Sequence, residues 1–186
     1  MTRIVAGAAR GRRLKVPGGS ATRPTSDRVR EALFSSLESI FGSLNGLRVL
    51  DLFAGSGALG LEAMSRGAGY ALLVESDPNA VRAIRANVAT VGLGEVDVRS
   101  TSVRRVLAAP PDKPFDLVLA DPPYTMDSGE ITDILNALET GWLAPDAVVV
   151  IERPTRGEPM RWPSGLVAVR DRRYGETTLW YGRPAG

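Results

Sequence analysis

The 186-residue chain contains no cysteine and no histidine. Without cysteine there are no disulfide scaffolds, Cys-based zinc sites or thiol nucleophiles. Without histidine there are no Ser-His-Asp triads, H-E-x-x-H metalloproteases or imidazole acid–base catalysts. Lysine is scarce too, with Lys15 and Lys113 against 21 arginines. Any chemistry must rest on carboxylates, hydroxyls, backbone groups or a bound cofactor. The longest strongly apolar run, residues 147–151, is far too short to cross a bilayer. The opening MTRIVAGAARGRRL has no apolar stretch ahead of its Arg cluster, which argues against a signal peptide. A cytoplasmic protein without membrane association is expected.

What is present fits a folded domain. Hydrophobic residues make up 44% and charged residues 24%, enough to bury a core. The length suits one large domain, or one domain with a small appendage. The net charge of +2 hides an asymmetry. Residues 1–30 carry eight basic side chains (Arg3, Arg10, Arg12, Arg13, Lys15, Arg23, Arg28 and Arg30) and one acid, Asp27, a net +7; the remainder carries −5. A basic arm on a mildly acidic body points to a polyanion partner.

Residues 1–24 are rich in Gly, Pro and Arg, with short β-prone pieces at 3–6 and 13–16 around a GAARG loop, which predicts a small β-hairpin arm. Thr25 or Ser26 then caps a helix from about Asp27, whose Val29, Leu33, Leu37, Ile40 and Leu44 share one face. Gly42 and Asn45-Gly46 end it. Further on, strand-like runs at 47–53, 70–75, 95–99, 115–120 and 146–151 alternate with helical segments at 58–66, 78–91, 103–109 and 129–140. Near-continuous apolar strands separated by helices predict a mostly parallel sheet covered on both faces. Residues 166–172 and 177–182, joined by Tyr174-Gly175-Glu176, predict a terminal antiparallel hairpin. The expected organisation is an arm over residues 1–24 and an α/β domain over 25–186.

VLDLFAGSGALG, from Val49 to Gly60, follows the first sheet strand and opens a helix. Gly55, Gly57 and Gly60 fit G-x-G-x-x-G, and Glu75 lies 20 residues beyond Gly55 at the end of the next strand. That spacing fits a dinucleotide fingerprint, in which glycines admit close backbone approach and the acid accepts from ribose hydroxyls. It serves S-adenosylmethionine equally, whose ammonium an acid beside the loop, such as Asp51, can hold directly or through water. The acid-led D-x-F-x-G-x-G form resembles the first motif of the class I methyltransferases.

A second motif closes the strand at 115–120: Asp121-Pro122-Pro123-Tyr124. In an open α/β sheet, ligands bind beyond the carboxyl ends of the strands at the switch point, which would set this tetrapeptide beside the glycine loop. Two prolines hold the turn extended and remove two N–H donors, leaving carbonyls to accept. With Asp121 as a second acceptor the turn suits an exocyclic –NH2, and Tyr124 offers a ring for base stacking.

The tetrapeptide resembles the (D/N)-P-P-(Y/F) motif of S-adenosylmethionine-dependent amino-methyltransferases. Asp in its first position is similar to guanine-N2 enzymes. RIVAGAARGRRLKVP at the start, RPTSDRVREALFSSL at 23–37, LDLFAGSGALGLEAMSRGA at 50–68, LVLADPPY at 117–124 and RYGETTLWYGR at 173–183 together look like one bacterial family. It is the 16S ribosomal RNA (guanine-N2)-methyltransferase family known as RsmD, and the match spans nearly the whole chain.

The resemblance implies a Rossmann-like class I methyltransferase fold with a seven-stranded sheet. It implies methyl transfer from S-adenosylmethionine to a guanine N2 in small-subunit ribosomal RNA, free or within a ribosomal assembly intermediate. Asp121, Pro122, Pro123 and Tyr124 would act on the base. Asp51, Phe53, Ala54, Gly55, Ser56, Gly57, Glu75, Ser76, Thr101 and Ser102 would hold the cofactor; Ser100-Thr101-Ser102 stands where many members have an Asn or Asp near the adenine. The eight basic residues of the arm region would bind RNA phosphates. No metal is called for, and a monomer is expected. The alternatives are a DNA adenine or cytosine amino-methyltransferase, for whose target-recognition region there is little spare length, and a nicotinamide-dependent oxidoreductase, in which DPPY has no role. A non-catalytic ribosome-assembly factor is a third, against which the intact loop, Glu75 and DPPY argue.

Overall fold

Apolar strands at 48–52, 70–75, 115–120 and 143–154, each buried or half-buried along much of its length, assemble side by side into a parallel sheet, with the largely exposed, polar strand at 95–100 on its edge. The computed structural model describes residues 2–18 and 25–186. In chain order the elements are β1 (Thr2–Arg3), β2 (Arg13–Leu14), α1 (Asp27–Phe41), β3 (Arg48–Leu52), α2 (Ala58–Ser65), β4 (Tyr70–Glu75), α3 (Pro78–Val91) and β5 (Glu95–Ser100). They continue through α4 (Val103–Val106), β6 (Phe115–Ala120), α5 (Ser128–Leu138), β7 (Leu143–Pro154), β8 (Leu166–Tyr174) and β9 (Thr177–Pro184). The sheet order is β5-β4-β3-β6-β7-β9-β8, with β9 antiparallel to β7 and to β8. This is the mostly parallel sheet with a terminal antiparallel hairpin that the alternation of strands and helices predicts, with the seven strands that the family resemblance implies.

The topology fixes where a ligand can bind. From β3 the chain winds outward through β4 to β5, then returns to the other side of β3 for β6 and β7. The strand order therefore reverses between β3 and β6, and the crevice beyond their carboxyl ends is the switch point. Two cores flank the sheet: one holds Phe34, Leu61, Ile84 and Tyr181, the other Leu50, Phe115, Leu135 and Trp142.

Most elements keep close to the expected bounds, but α1 ends at Phe41, which leaves Leu44 outside it, α4 ends at Val106 rather than near residue 109, and β7 and the arm differ as well. β7 runs to Pro154, well past the apolar run, because pairing with β9 from Val149↔Gly182 to Pro154↔Thr177 supplies its backbone partners. The arm pairs over two residues per strand, Thr2↔Leu14 and Arg3↔Arg13. It is built into the body, since Ile4, Ala9 and Leu14 join the first core. Buried Glu62 of α2 accepts from the N–H groups of Val5 at 2.8 Å and Ala6 at 3.0 Å. Ser26 caps α1 by accepting from the Val29 N–H at 3.2 Å.

Candidate active site

β3 ends at Leu52, and the chain turns through Phe53, Ala54, Gly55 and Ser56 to Gly57, the N-cap of α2. Gly57 holds φ at 81°, a left-handed conformation that glycine adopts without steric cost. Phe53, at φ 59°, is the one non-glycine residue with positive φ among the described residues. Such strain costs on the order of 1–3 kcal/mol and persists where packing over-determines it; here the partly buried ring packs against the second core. Gly60 serves the helix rather than a ligand: a Cβ there would lie 2.2 Å from Leu73 Cδ2.

Three acids surround this turn. Glu75 closes β4 and holds the loop: Oε1 accepts from the Gly55 N–H at 2.8 Å and Oε2 from the Asp77 N–H at 2.9 Å. A carboxylate has about four acceptor positions, so lone pairs remain for ribose hydroxyls. Asp51 is buried, and its Oδ2 accepts from the Gly60 N–H at 2.9 Å. Burial raises its carboxyl from 3.8 to about 7, opposed by the Gly60 hydrogen bond and assisted by the charge of Glu75. A carboxylate in that condition fits a cationic ligand group, whose charge offsets the desolvation.

The third acid, Asp121, follows β6 next to the loop; its N–H lies 3.5 Å from the Leu52 carbonyl. Burial, then Glu152, then Asp51 push its carboxyl well above the usual range, against the pull of Arg153. Pro122 is buried and Pro123 half-buried. The Pro123 carbonyl accepts from Arg153 at 3.2 Å and from the Met126 N–H at 3.0 Å. Arg153 also donates to the Met126 carbonyl at 2.7 Å, clamping the turn from β7. Tyr124 is 54% exposed and lines a groove of about 490 Å3 with Val29, Glu152, Tyr174 and Thr177. That volume lies within the range of small-ligand clefts.

The fold thus brings the glycine loop, Glu75 and the tetrapeptide to one crevice. The remaining residues expected at the cofactor spread along the same sheet edge. Ser56 is buried, and its carbonyl accepts from Asn87 Nδ2 at 2.8 Å. Ser76 is exposed and Thr101 half-buried. The Ser102 hydroxyl accepts from the Arg105 N–H at 3.2 Å, which assigns it to the start of α4.

The basic residues divide. Arg3, Arg10, Arg13, Lys15 and Arg28 are exposed. Arg12 donates to the carbonyls of Thr90, at 2.9 Å, and Val91, so its head group satisfies the end of α3. Arg23 lies outside the described residues. Arg30 corrects the expectation of phosphate binding. It is 0% exposed, pairing with Glu62 at 3.3 Å and Asp27 at 2.9 Å and donating to the Arg3 carbonyl. No phosphate can reach it.

Sequence reasoning passed over four residues: Glu152, Thr25 as its partner, Arg153, and Asn87. Asn87 bridges the Ser56 carbonyl and the Lys15 backbone, where it accepts at 2.7 Å and donates at 2.9 Å. For Glu152 and Arg153 a signal existed: a charged pair closing an apolar strand of an α/β sheet stands where ligands bind. Among the described residues no cluster of three His, Cys, Asp or Glu could hold a metal ion, and no helix is long and apolar enough to cross a membrane.

The model of the family Conserved hypothetical protein 95, the RsmD family, matches residues 2–183. The chain belongs to this family. It is 41% identical over 151 residues to ribosomal RNA small subunit methyltransferase D of Escherichia coli (strain K12), covering 81% of this chain and 73% of that one. The Haemophilus influenzae protein of the same name is 34% identical over 176 residues, covering 93% and 89%. Among solved structures, the Escherichia coli protein yhhF superposes with a TM-score of 0.85 at 36% identity, covering 98% and 97%. The RsmD-family match includes the arm, the glycine loop, the tetrapeptide and the terminal hairpin together.

Proposed function

We propose that this chain transfers a methyl group from S-adenosylmethionine to the exocyclic N2 amine of a guanine in small-subunit ribosomal RNA. The observation that carries the reading is the meeting of the glycine loop and Asp121-Pro122-Pro123-Tyr124 at the switch point, joined by the Asp121 N–H toward the Leu52 carbonyl. The relatives named above, methyltransferases of small-subunit ribosomal RNA, support the substrate class.

Asp51, the Gly55–Gly57 backbone and Glu75 form a donor and acceptor set that fits the cofactor's ammonium and ribose. Bound there, S-adenosylmethionine supplies an electrophilic methyl group. Asp121 and the Pro122 carbonyl accept the two amine hydrogens, turn the nitrogen lone pair toward the cofactor and favour the positive charge that develops on nitrogen. Such alignment removes several kcal/mol of barrier. The carboxyl of Asp121, made more basic by burial and by Glu152, suits it to receive the proton that the amine sheds. Tyr124 offers its ring to a base drawn out of the stack.

The test is transfer of labelled methyl to small-subunit RNA or particles from a strain lacking the gene, followed by nucleoside analysis. N2-methylguanine is the expected product. Asp121→Ala should lower the rate by roughly 100-fold or more while cofactor affinity stays within a few-fold. A methylated adenine or cytosine, or no labelled RNA at all, would refute the reading.

A further inference from the structure

β6 and β7 run parallel with Ala120 opposite Ile151, so the next residues, Asp121 and Glu152, stand side by side at the carboxyl edge. Glu152 is buried, yet it borders the groove that Tyr124 and Tyr174 flank. One carboxylate oxygen, Oε2, is held by the Thr25 hydroxyl at 2.8 Å. A carboxylate has capacity beyond one hydroxyl, and burying an acid at a groove wall costs free energy unless a partner arrives. The neighbouring cation, Arg153, is turned to the Pro123 and Met126 carbonyls. Asp121 and Glu152 therefore present two carboxyl groups along one rim.

Such a rim discriminates among bases by elementary hydrogen-bond chemistry. The adenine amine lies between ring positions N1 and N7, both lone pairs. The cytosine amine lies beside N3, another lone pair, and a C–H. The guanine amine alone has a ring N–H donor, N1–H, as a neighbour. A carboxylate one strand away from the amine's own acceptors meets a lone pair on adenine, a lone pair or an unmatched C–H on cytosine, and a hydrogen-bond donor on guanine alone.

Resting on the methyl-transfer reading above, we infer that Glu152, oriented by Thr25, accepts the N1–H of the target base and so selects guanine. A site built to hydrogen-bond a substrate N–H rejects analogues that lack it, because its own buried group is then left unpaired. Thr25 is a positioning residue in this arrangement, since its hydroxyl fixes the carboxylate and does not touch the base.

The probe is a small-subunit RNA fragment carrying, at the nucleotide that becomes methylated, either guanine or 2-aminopurine, which keeps the N2 amine and lacks N1–H. The wild-type chain should prefer guanine in kcat/KM by roughly 10- to 100-fold, the range for a hydrogen bond to a charged group. Glu152→Gln keeps the shape and can still accept from Thr25. It should lose most of that preference, chiefly by slower guanine turnover, with cofactor affinity unchanged. Glu152→Asp, which withdraws the carboxylate by one methylene, should lose part of it and decides the matter should Glu152→Gln fail to fold. Equal use of both bases by the wild type, or an undiminished preference in the folded variant, overturns the inference while N2-methylguanine formation keeps the underlying reading. A wild-type product other than N2-methylguanine overturns both.

Discussion

Replacing Asp51 by Asn should stabilise the protein without cofactor, and the gain should grow with pH. Asn keeps the side-chain oxygen that accepts from the Gly60 N–H at 2.9 Å and discards the charge. In the fold the Asp51 carboxyl is raised from 3.8 to about 7, chiefly by burial. Between those values the folded state binds a proton that the unfolded state has released, so stability falls as pH rises through the window. Above it the full penalty is in place, and three units correspond to about 4 kcal/mol. From about pH 5 to about pH 8 the Asn variant should therefore gain about 2.5 kcal/mol relative to the wild type. Urea unfolding of both proteins across that range reads the difference directly, because other titrating groups largely cancel in the comparison. A difference independent of pH would mean that Asp51 ionises in the fold as it does in water, and the argument from burial would fall. Cofactor binding supplies the control: a ligand cation beside Asp51 should erase the wild-type penalty and leave the variant as the less stabilised of the two.

Glu75→Ala should weaken cofactor binding by about 1–3 kcal/mol, through lost ribose hydrogen bonds and a Gly55 N–H left without its 2.8 Å partner. Calorimetry on the folded variant measures it, and unchanged affinity would remove Glu75 from the site. Neutralising exposed Arg10 and Arg13 should flatten the salt dependence of RNA binding by roughly 0.7–0.9 in log–log slope for each lost phosphate contact. Parallel slopes at equal affinity would move the RNA surface elsewhere, with the Arg170, Arg172 and Arg173 cluster as the next candidate. Arg30→Ala should cost about 3–5 kcal/mol of stability by leaving Glu62 buried and partly unpaired, with the salt slope of the folded fraction unchanged.

Most of the fold was legible because each decisive feature is local in sequence. Strands 70–75 and 115–120 and helix 78–91 fall where the apolar patterns put them. The glycine loop and the DPPY tetrapeptide are each contiguous, and one topological rule suffices to bring them together. Arg30 shows where that reasoning stops. Its charge was counted with the arm, yet its position one turn into α1 points it inward to Glu62, 32 residues away. A buried ion pair leaves no compositional trace, since each partner alone looks like a solvated surface charge. Glu152 was passed over for a related reason: it enters the groove through the pairing of β7 with β6 and through Thr25, 127 residues earlier.

That distance gives a physical account of the segment RPTSDRVRE. Thr25 precedes the Ser26 cap and reaches the groove wall at Glu152, while Arg30 reaches back to Glu62 beneath the arm. Glu62 in turn holds the Val5 and Ala6 N–H groups and belongs to α2, the helix that the glycine loop opens. One short stretch at the start of α1 therefore ties the arm to α2 and holds Glu152 at the groove. Neither contact can be moved alone, because the Ser26 cap and the first turn of α1 set Thr25 and Arg30 relative to each other. A substitution that shifts this turn, such as loss of the Ser26 cap, should disturb arm packing together with the guanine preference inferred for Glu152. A change confined to the arm's exposed arginines should disturb neither.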